Sequence, residues 1–326
     1  MSGLKQQLSL RVENDLNDIE AALHQNLNPH VDLVRKVAGH LIFSGGKRIR
    51  PLLNLLCARL CGYTDDFIKR FSIIIEFLHT ATLLHDDVVD DASLRRGKPV
   101  AHSIWGAPVT VLVGDFLLAR ALNIAAETGN PKIIRIISEI TENMCQGEII
   151  QLIKKGDVNL SEADYMDVIR RKTGFLIQGA CQTGAILAGA PEDVENRLAR
   201  YGYHIGMVFQ IADDLLDYTA DTRTLGKTIG ADLKEGKLTL PVIHTLEKVG
   251  PEDRNWLERL IAGKNFSETE FDTLIGLMHD TGALRYCQTI AENHIREAKQ
   301  IIASFAPCPT TETLTMIADY TLNRKA

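Results

Sequence analysis

The chain has 326 residues, 45% of them hydrophobic and 24% charged, with 24 glycines, 10 prolines and a formal charge of −6; this composition excludes disordered, collagen-like and disulfide-scaffold classes and leaves a chain able to bury a large core. The acidic balance (pI ≈ 5.9) argues against a general nucleic-acid surface, so an anionic substrate must be held by local basic clusters or by metal ions. No stretch approaches the roughly 18 unbroken apolar residues of a membrane span, and the N-terminus has neither an apolar signal core nor an Arg-rich transit character, so a cytoplasmic protein starting near Met1 is expected.

In chain order, residues 1–30 read as an N-terminal helical arm. Ser44-Gly45-Gly46-Lys47-Arg48-Ile49-Arg50-Pro51 then reads as a glycine turn feeding three cations into a helix expected to open at Pro51. Lys47 and Arg50 fall beside free backbone N–H groups, which attract phosphate by geometry and dipole. An ordinary basic turn is the alternative, but cations are poorly placed at a helix N-terminus unless an anion joins them. Six scattered cysteines include Cys57 and Cys61, four residues apart, with no CxxC pair; they read as reduced core residues rather than as a metal site.

Residues 63–96 lack Gly and Pro and contain His79-Thr80-Ala81-Thr82-Leu83-Leu84-His85-Asp86-Asp87-Val88-Val89-Asp90-Asp91. Asp86 and Asp90 lie one turn apart on a single helix face, where their carboxylates repel unless a cation sits between them. His79 is two turns before Asp86 on that face, and His85 adjoins it. Leu94-Arg95-Arg96-Gly97-Lys98-Pro99 is expected to close this helix with Arg-then-Gly capping chemistry while bringing two guanidinium groups near the acids.

Pro131, Pro191 and Pro251 mark first helical turns, Ser161 with Asp164 and Ser267 with Glu270 resemble capping boxes, and the intervals 132–190, 192–240 and 252–306 contain no proline. Apolar residues recur there at helical spacing, as in Leu198, Tyr201, Ile205, Val208 and Ile211. Lys172-Thr173 interrupts an apolar-rich helix. A second acidic copy follows, Ile211-Ala212-Asp213-Asp214-Leu215-Leu216-Asp217, and then a glycine- and lysine-rich loop over 225–237. An all-α protein is predicted, folded as one domain over 1–326. Two DDxxD copies, each flanked by Leu, Ile or Val, do not suit a merely solvated acidic face. All-carboxylate donors select hard cations, so the pair reads as a Mg²⁺–diphosphate clamp.

The order GGKRIRP, HTATLLHDDVVD, LRRGKP, KT, FQIADDLLD, GKTIGADLKEGKLTLP, spanning about 40–241, resembles the trans-polyprenyl diphosphate synthases, long-chain branch. The resemblance implies an all-α isoprenoid-synthase-type bundle around a central cavity. It implies that Asp86, Asp87, Asp90, Asp213, Asp214 and Asp217 bind several Mg²⁺ ions bridging an allylic diphosphate. Lys47, Arg50, His79 and Arg96 would hold isopentenyl diphosphate. Arg95, Lys172, Thr173, Gln210, Lys227 and Lys237 would face the allylic diphosphate, and Lys172, Thr173, Gln210, Lys227 and Lys237 would act in catalysis.

Thr82 and Ala81, about one turn below Asp86, are small and leave room for a growing chain; the resemblance suggests Ala125 and Ile137 as the cavity floor, and since Ala125 is small the upper limit stays open, so the expected product is centred on about C40, within roughly C30 to C50. The resemblance further implies a homodimer and at most transient membrane contact during product release; no nucleic-acid partner is expected. Three rivals are weighed. A non-catalytic or partner-dependent subunit of a heteromeric prenyl synthase would tend to lose aspartates, and this chain keeps all six. A short-chain synthase is disfavoured by Ala81. An HD-type metal phosphohydrolase built on His79, His85-Asp86 and a later Asp explains neither DDxxD copy nor GGKRIRP.

Overall fold

The structure is a computed structural model and describes residues 2–95, 97–219, 230–263 and 265–323. The described residues are almost wholly helical, as the proline spacing predicts: α1 (Ser2–Asn26), α2 (Asp32–Ile42), α3 (Ile49–Leu60), α4 (Phe67–Val89), α5 (Ala101–Trp105), α6 (Ala107–Ala126), α7 (Pro131–Ile153), α8 (Glu162–Ile169), a π-helical turn (Arg170–Gly174), α9 (Phe175–Leu187), α10 (Glu192–Thr219), α11 (Ala231–Lys234), α12 (Leu240–Lys248), α13 (Pro251–Gly263), α14 (Glu268–Asp280), α15 (Ala283–Ala303) and α16 (Pro309–Asn323). Leu94–Arg95 (β1) and Lys98–Pro99 (β2) form a minimal antiparallel hairpin. Both capping signals act at helix starts. Ser161 accepts from the Asp164 N–H, and Ser267 with Glu270 forms a complete capping box.

The chain divides into two compact units. The first comprises Met1–Glu142, Leu176–Gly202 and Phe305–Leu314. Its central helix is α4, which packs against α1, α3 and most extensively α6. From Phe71 to Leu78 every α4 residue is buried, so this helix is enclosed on all sides and not amphipathic. α6 is the one helix among the described residues long and apolar enough to cross a membrane by length and composition. Asp115 and Arg120 interrupt it, and it packs on α4 while Leu112 and Leu122 stay exposed.

In the same unit α3 and α9 approach closely. Asn54 donates through Nδ2 to Ala180 O (2.8 Å) and Thr183 Oγ1 (3.0 Å), and a Cβ on Gly184 would lie 2.3 Å from the Asn54 backbone oxygen. Gly184→Ala must therefore push two helices apart. It should cost about 1–3 kcal/mol of stability, measured by urea denaturation against wild type.

The second unit comprises Asn143–Phe175, Tyr203–Ser304 and Thr315–Ala326. Here α12 packs on α8, α14 and α15. Val208, Leu240, Val242, Leu257, Leu274, Met278, Cys287 and Ala291 are each at most 1% exposed and form its core. All six cysteines are free thiols; Cys57, Cys181 and Cys287 are buried as expected, whereas Cys61 and Cys308 are half-buried and Cys145 is exposed on α7, so the expectation of core residues fails for these three.

Two local boundaries differ from expectation. The acidic helix ends at Val89, not in the Arg95-Arg96-Gly97 run. Asp91 takes the left-handed conformation (φ 49°), the Ala92 N–H reaches Asp87 O (3.0 Å) and the Asp91 N–H reaches Val88 O (3.4 Å). This is a Schellman stop in which an aspartate does what the sequence reading assigned to Gly97, since Asp is among the few residues that tolerate this region. Likewise α3 opens at Ile49, two residues before Pro51, behind a left-handed Arg48 (φ 47°).

Candidate active site

In the first unit the site is built on the C-terminal end of α4. Asp86 is half-buried in its last turn, Asp90 is its C-cap, and Asp91 is exposed. Asp87 differs from its neighbours: it is 2% exposed, and its Oδ1 accepts from Arg95 Nε and sits 2.8 Å from Arg95 Nη2. Arg95 thereby ties the hairpin to the acidic helix end, with a third of its side chain still accessible. His85 Nε2 donates to Val111 O (3.1 Å), fixing that helix end on α6.

His40, Ser44, Asp87, Arg95 and Lys98 line one crevice, and His40 Nε2 donates to Pro99 O (2.8 Å). Lys47 is exposed, whereas Arg50 and His79 are half-buried. Arg96, expected beside them, lies outside the described residues.

Arg48, the middle cation of GGKRIRP, is no phosphate ligand. It is 5% exposed and donates to Glu20 (2.6 Å), Glu76 (2.6 Å) and Ile42 O (2.6 Å). Burial works against its charge, but Glu20 and Glu76 outweigh that and hold its pKa above the ordinary value. These bonds hold its left-handed backbone and so shape the turn that presents Lys47 and Arg50. Arg48→Ala leaves Glu76, itself 7% exposed, buried without this partner. The substitution should destabilise the protein by about 3–5 kcal/mol, and Arg48→Met with Glu76→Leu should recover most of that in the same thermal melt.

The second unit carries the other acids on α10. Asp213 is exposed and Asp217 half-buried; Asp217 accepts from the N–H groups of Ala231 and Asp232 (3.2 Å each), which anchors α11 beside it. Asp214 points inward. It is 3% exposed, its Oδ2 accepts from Tyr165 OH (2.5 Å) and its Oδ1 from Gln210 Nε2 (2.8 Å). Burial, with Asp232 and Asp213 adding repulsion, pushes the Asp214 carboxyl well up, against the two donated hydrogen bonds. Burial also pushes the Tyr165 phenol well above its ordinary value, so it stays a donor.

Gln210 Oε1 in turn accepts from Thr173 Oγ1 (2.8 Å). Lys172 and Thr173 sit on the π-helical turn, not on a regular helix; such turns recur at functional sites. Lys172 pairs with Glu148 and donates to Gln151 Oε1 (2.5 Å). Lys237 pairs with Glu235 (2.8 Å), while Lys227 lies outside the described residues.

The positions considered for chain length fall on α4, α6 and α7. Ala81 and Ala125 are 0% exposed and Ile137 is 1% exposed, whereas Thr82 keeps accessible surface. Among the described residues no three His, Cys, Asp or Glu side chains form a ready metal cage. An HD-type centre on His79 and His85-Asp86 therefore has no support. Carboxylates one turn apart that leave room for waters or phosphate oxygens suit Mg²⁺, which keeps several such ligands.

Sequence reasoning missed Glu148 and Gln151, although polar residues three apart in the otherwise apolar run Glu148-Ile149-Ile150-Gln151-Leu152-Ile153 were a usable signal. It also missed Asp232 as part of the acidic cluster. Tyr165 gave no signal at all, since a lone Tyr in a helix reads as core.

The family described as Polyprenyl synthetase matches residues 31–278. The chain is 38% identical over 297 residues to octaprenyl diphosphate synthase of Escherichia coli (strain K12), covering 91% of each chain. It is 38% identical over 321 residues, 98% of each chain, to all-trans-nonaprenyl-diphosphate synthase (geranyl-diphosphate specific) of Rhodobacter capsulatus. In structure it is similar to a polyprenyl synthase from Caulobacter crescentus CB15, complexed with calcium and isoprenyl diphosphate, with a TM-score of 0.92, 39% identity and 98% of both chains covered. The duplicated acids, the basic turn and the π-turn Lys-Thr pair thus stand in a chain that belongs to the polyprenyl synthetase family.

Proposed function

We propose that this chain-elongating polyprenyl diphosphate synthase adds isopentenyl diphosphate head-to-tail to an allylic diphosphate and builds an all-trans product of about C40, matching the small residues below the first acidic pair. The observation that carries this is the repetition, in each unit, of two accessible aspartates one turn apart with a buried, hydrogen-bonded aspartate between them.

Asp86 and Asp90 would hold Mg²⁺ in the first unit, and Asp213 and Asp217 in the second, with Asp87 fixing Arg95. When bound, Mg²⁺ supplies Lewis-acid neutralisation of the diphosphate. Lys47, Arg50, His79 and Arg96 would hold the isopentenyl diphosphate. Arg95, Lys172, Lys227 and Lys237 would stabilise the charge that the departing diphosphate gains as the allylic C–O electron pair leaves with it. The Thr173 and Gln210 oxygens would stabilise the allylic cation. The isopentenyl π pair forms the new C–C bond, and a proton passes from the isopentenyl C2 to the released diphosphate, leaving the new double bond. No side-chain nucleophile is needed.

Omitting either substrate, or chelating the divalent metal, should abolish incorporation of labelled isopentenyl diphosphate. Incorporation that persists in excess chelator would sink the metal assignment. A short-chain product is the second reading, favoured by the enclosure of Ala81, Ala125 and Ile137, which must be opened for a long tail to pass. We also assign a homodimer to α6, whose Leu112 and Leu122 are 67% and 40% exposed; sedimentation equilibrium should give about twice the 36.2 kDa chain mass. Membrane contact would be limited to product release, and a cytoplasmic location fits that role.

A further inference from the structure

Four side chains of the second unit form one unbroken hydrogen-bonded line: Tyr165 OH to Asp214 Oδ2 (2.5 Å), Gln210 Nε2 to Asp214 Oδ1 (2.8 Å), and Thr173 Oγ1 to Gln210 Oε1 (2.8 Å). Tyr165, Asp214 and Thr173 are each at most 8% exposed. The middle of the line settles an orientation. An amide side chain is pseudo-symmetric, and its partners decide which end faces which way. Asp214 accepts at both oxygens, from the Tyr165 hydroxyl and from the Gln210 NH₂, so Gln210 turns its NH₂ to Asp214 and its carbonyl oxygen to Thr173.

The backbone around the line is fixed as tightly. A Cβ on Gly206, one turn before Gln210 on α10, would lie 2.8 Å from the Gly174 Cα and 3.4 Å from Thr173 O. The absent side chain lets α10 and the π-helical turn touch, which places Gln210 and Thr173 at hydrogen-bond distance.

We infer that Asp214 and Tyr165 are positioning residues for the prenyl transfer itself: Asp214 sets the direction of the Gln210 carbonyl, and Tyr165 holds Asp214, instead of Asp214 ligating metal with Asp213 and Asp217. The inference rests on the proposed reaction. Both oxygens of Asp214 are already engaged, and its side chain is enclosed where those of Asp213 and Asp217 reach the surface. An asparagine at this place could present its own NH₂ to Gln210 and turn the amide over, pointing NH₂ where the cation needs an oxygen.

The test compares Tyr165→Phe, Asp214→Asn and Asp213→Asn on two readouts. The first is kcat and KM with isopentenyl and farnesyl diphosphates. The second is the rise in melting temperature caused by Mg²⁺ with inorganic diphosphate, which needs no turnover. Tyr165→Phe and Asp214→Asn should lower kcat about 10- to 100-fold with KM nearly unchanged and with the full wild-type rise in melting temperature, whereas Asp213→Asn should lose a large part of that rise. If Asp214→Asn loses the rise as Asp213→Asn does, Asp214 is a metal ligand and the inference is overturned. It is equally overturned if Tyr165→Phe keeps the wild-type kcat. Should Asp214→Asn fail to fold, Tyr165→Phe, which removes one oxygen, decides alone. Failure of the prenyl-transfer reading looks different, because wild type itself would then form no product.

Discussion

Asp86→Asn should lower the rate of prenyl transfer about 100- to 1,000-fold at ordinary Mg²⁺ concentrations while leaving the melting temperature within a few degrees of wild type. The argument is local. Asp86 occupies the last turn of α4, half-buried, one turn from Asp90, and its chain position is fixed by the stop at Asp91 and by His85 on Val111 O. Two carboxylates so placed repel each other, and a shared cation relieves that repulsion. Removing one charge keeps the helix and weakens the cation's hold, so raising Mg²⁺ should restore part of the rate. Asp87→Asn is the contrast. Its partner is Arg95 inside the protein, so its main cost should be stability, with no change in the Mg²⁺ needed for half-maximal rate. A metal titration of both variants checks the pair, and a shared metal defect would refute the division of labour between them.

Thr82→Phe should shorten the product from about C40 to about C15–C20 with the first condensations still running at near wild-type rate, because an aromatic ring about one turn below Asp86 would block the proposed course of the tail. Thr82 is chosen over Ala81 for a physical reason. Ala81 is fully enclosed, so a phenylalanine there also overpacks the core of α4, whereas Thr82 retains surface and its hydroxyl only caps back on His79 O (2.9 Å). Mass spectrometry of the products reads the outcome. Unchanged chain length in a folded, active Thr82→Phe enzyme would place the growing tail elsewhere.

How far the sequence spoke for itself can be seen in particular residues. The helical class was legible because Pro131 and Pro251 open helices and Ser267 with Glu270 caps one, all by local chemistry that tertiary packing did not override. The acidic pairs were legible because period and charge coincide: Asp86 and Asp90, or Asp213 and Asp217, fall on one face wherever the helix points. What the sequence hid is which of three clustered aspartates turns inward. Asp87 and Asp214 do so because of Arg95 across a hairpin and Tyr165 on another helix, partners that sequence spacing does not announce. Arg48 was hidden for the same reason. It stands in a run of cations that reads as a phosphate cradle, yet Glu20 and Glu76 claim it from α1 and α4. The stop at Asp91 and the π-helical turn at Lys172 are backbone departures that no periodicity signals.

The most direct test of the account is to incubate the purified protein with isopentenyl diphosphate, farnesyl diphosphate and Mg²⁺ and to size the products by mass spectrometry. The account predicts a product series ending near C40, dependent on both substrates and on the metal. Products that stop at C20 would contradict the long-chain assignment, and no elongation with all components present would contradict the chain's acting as a synthase on its own.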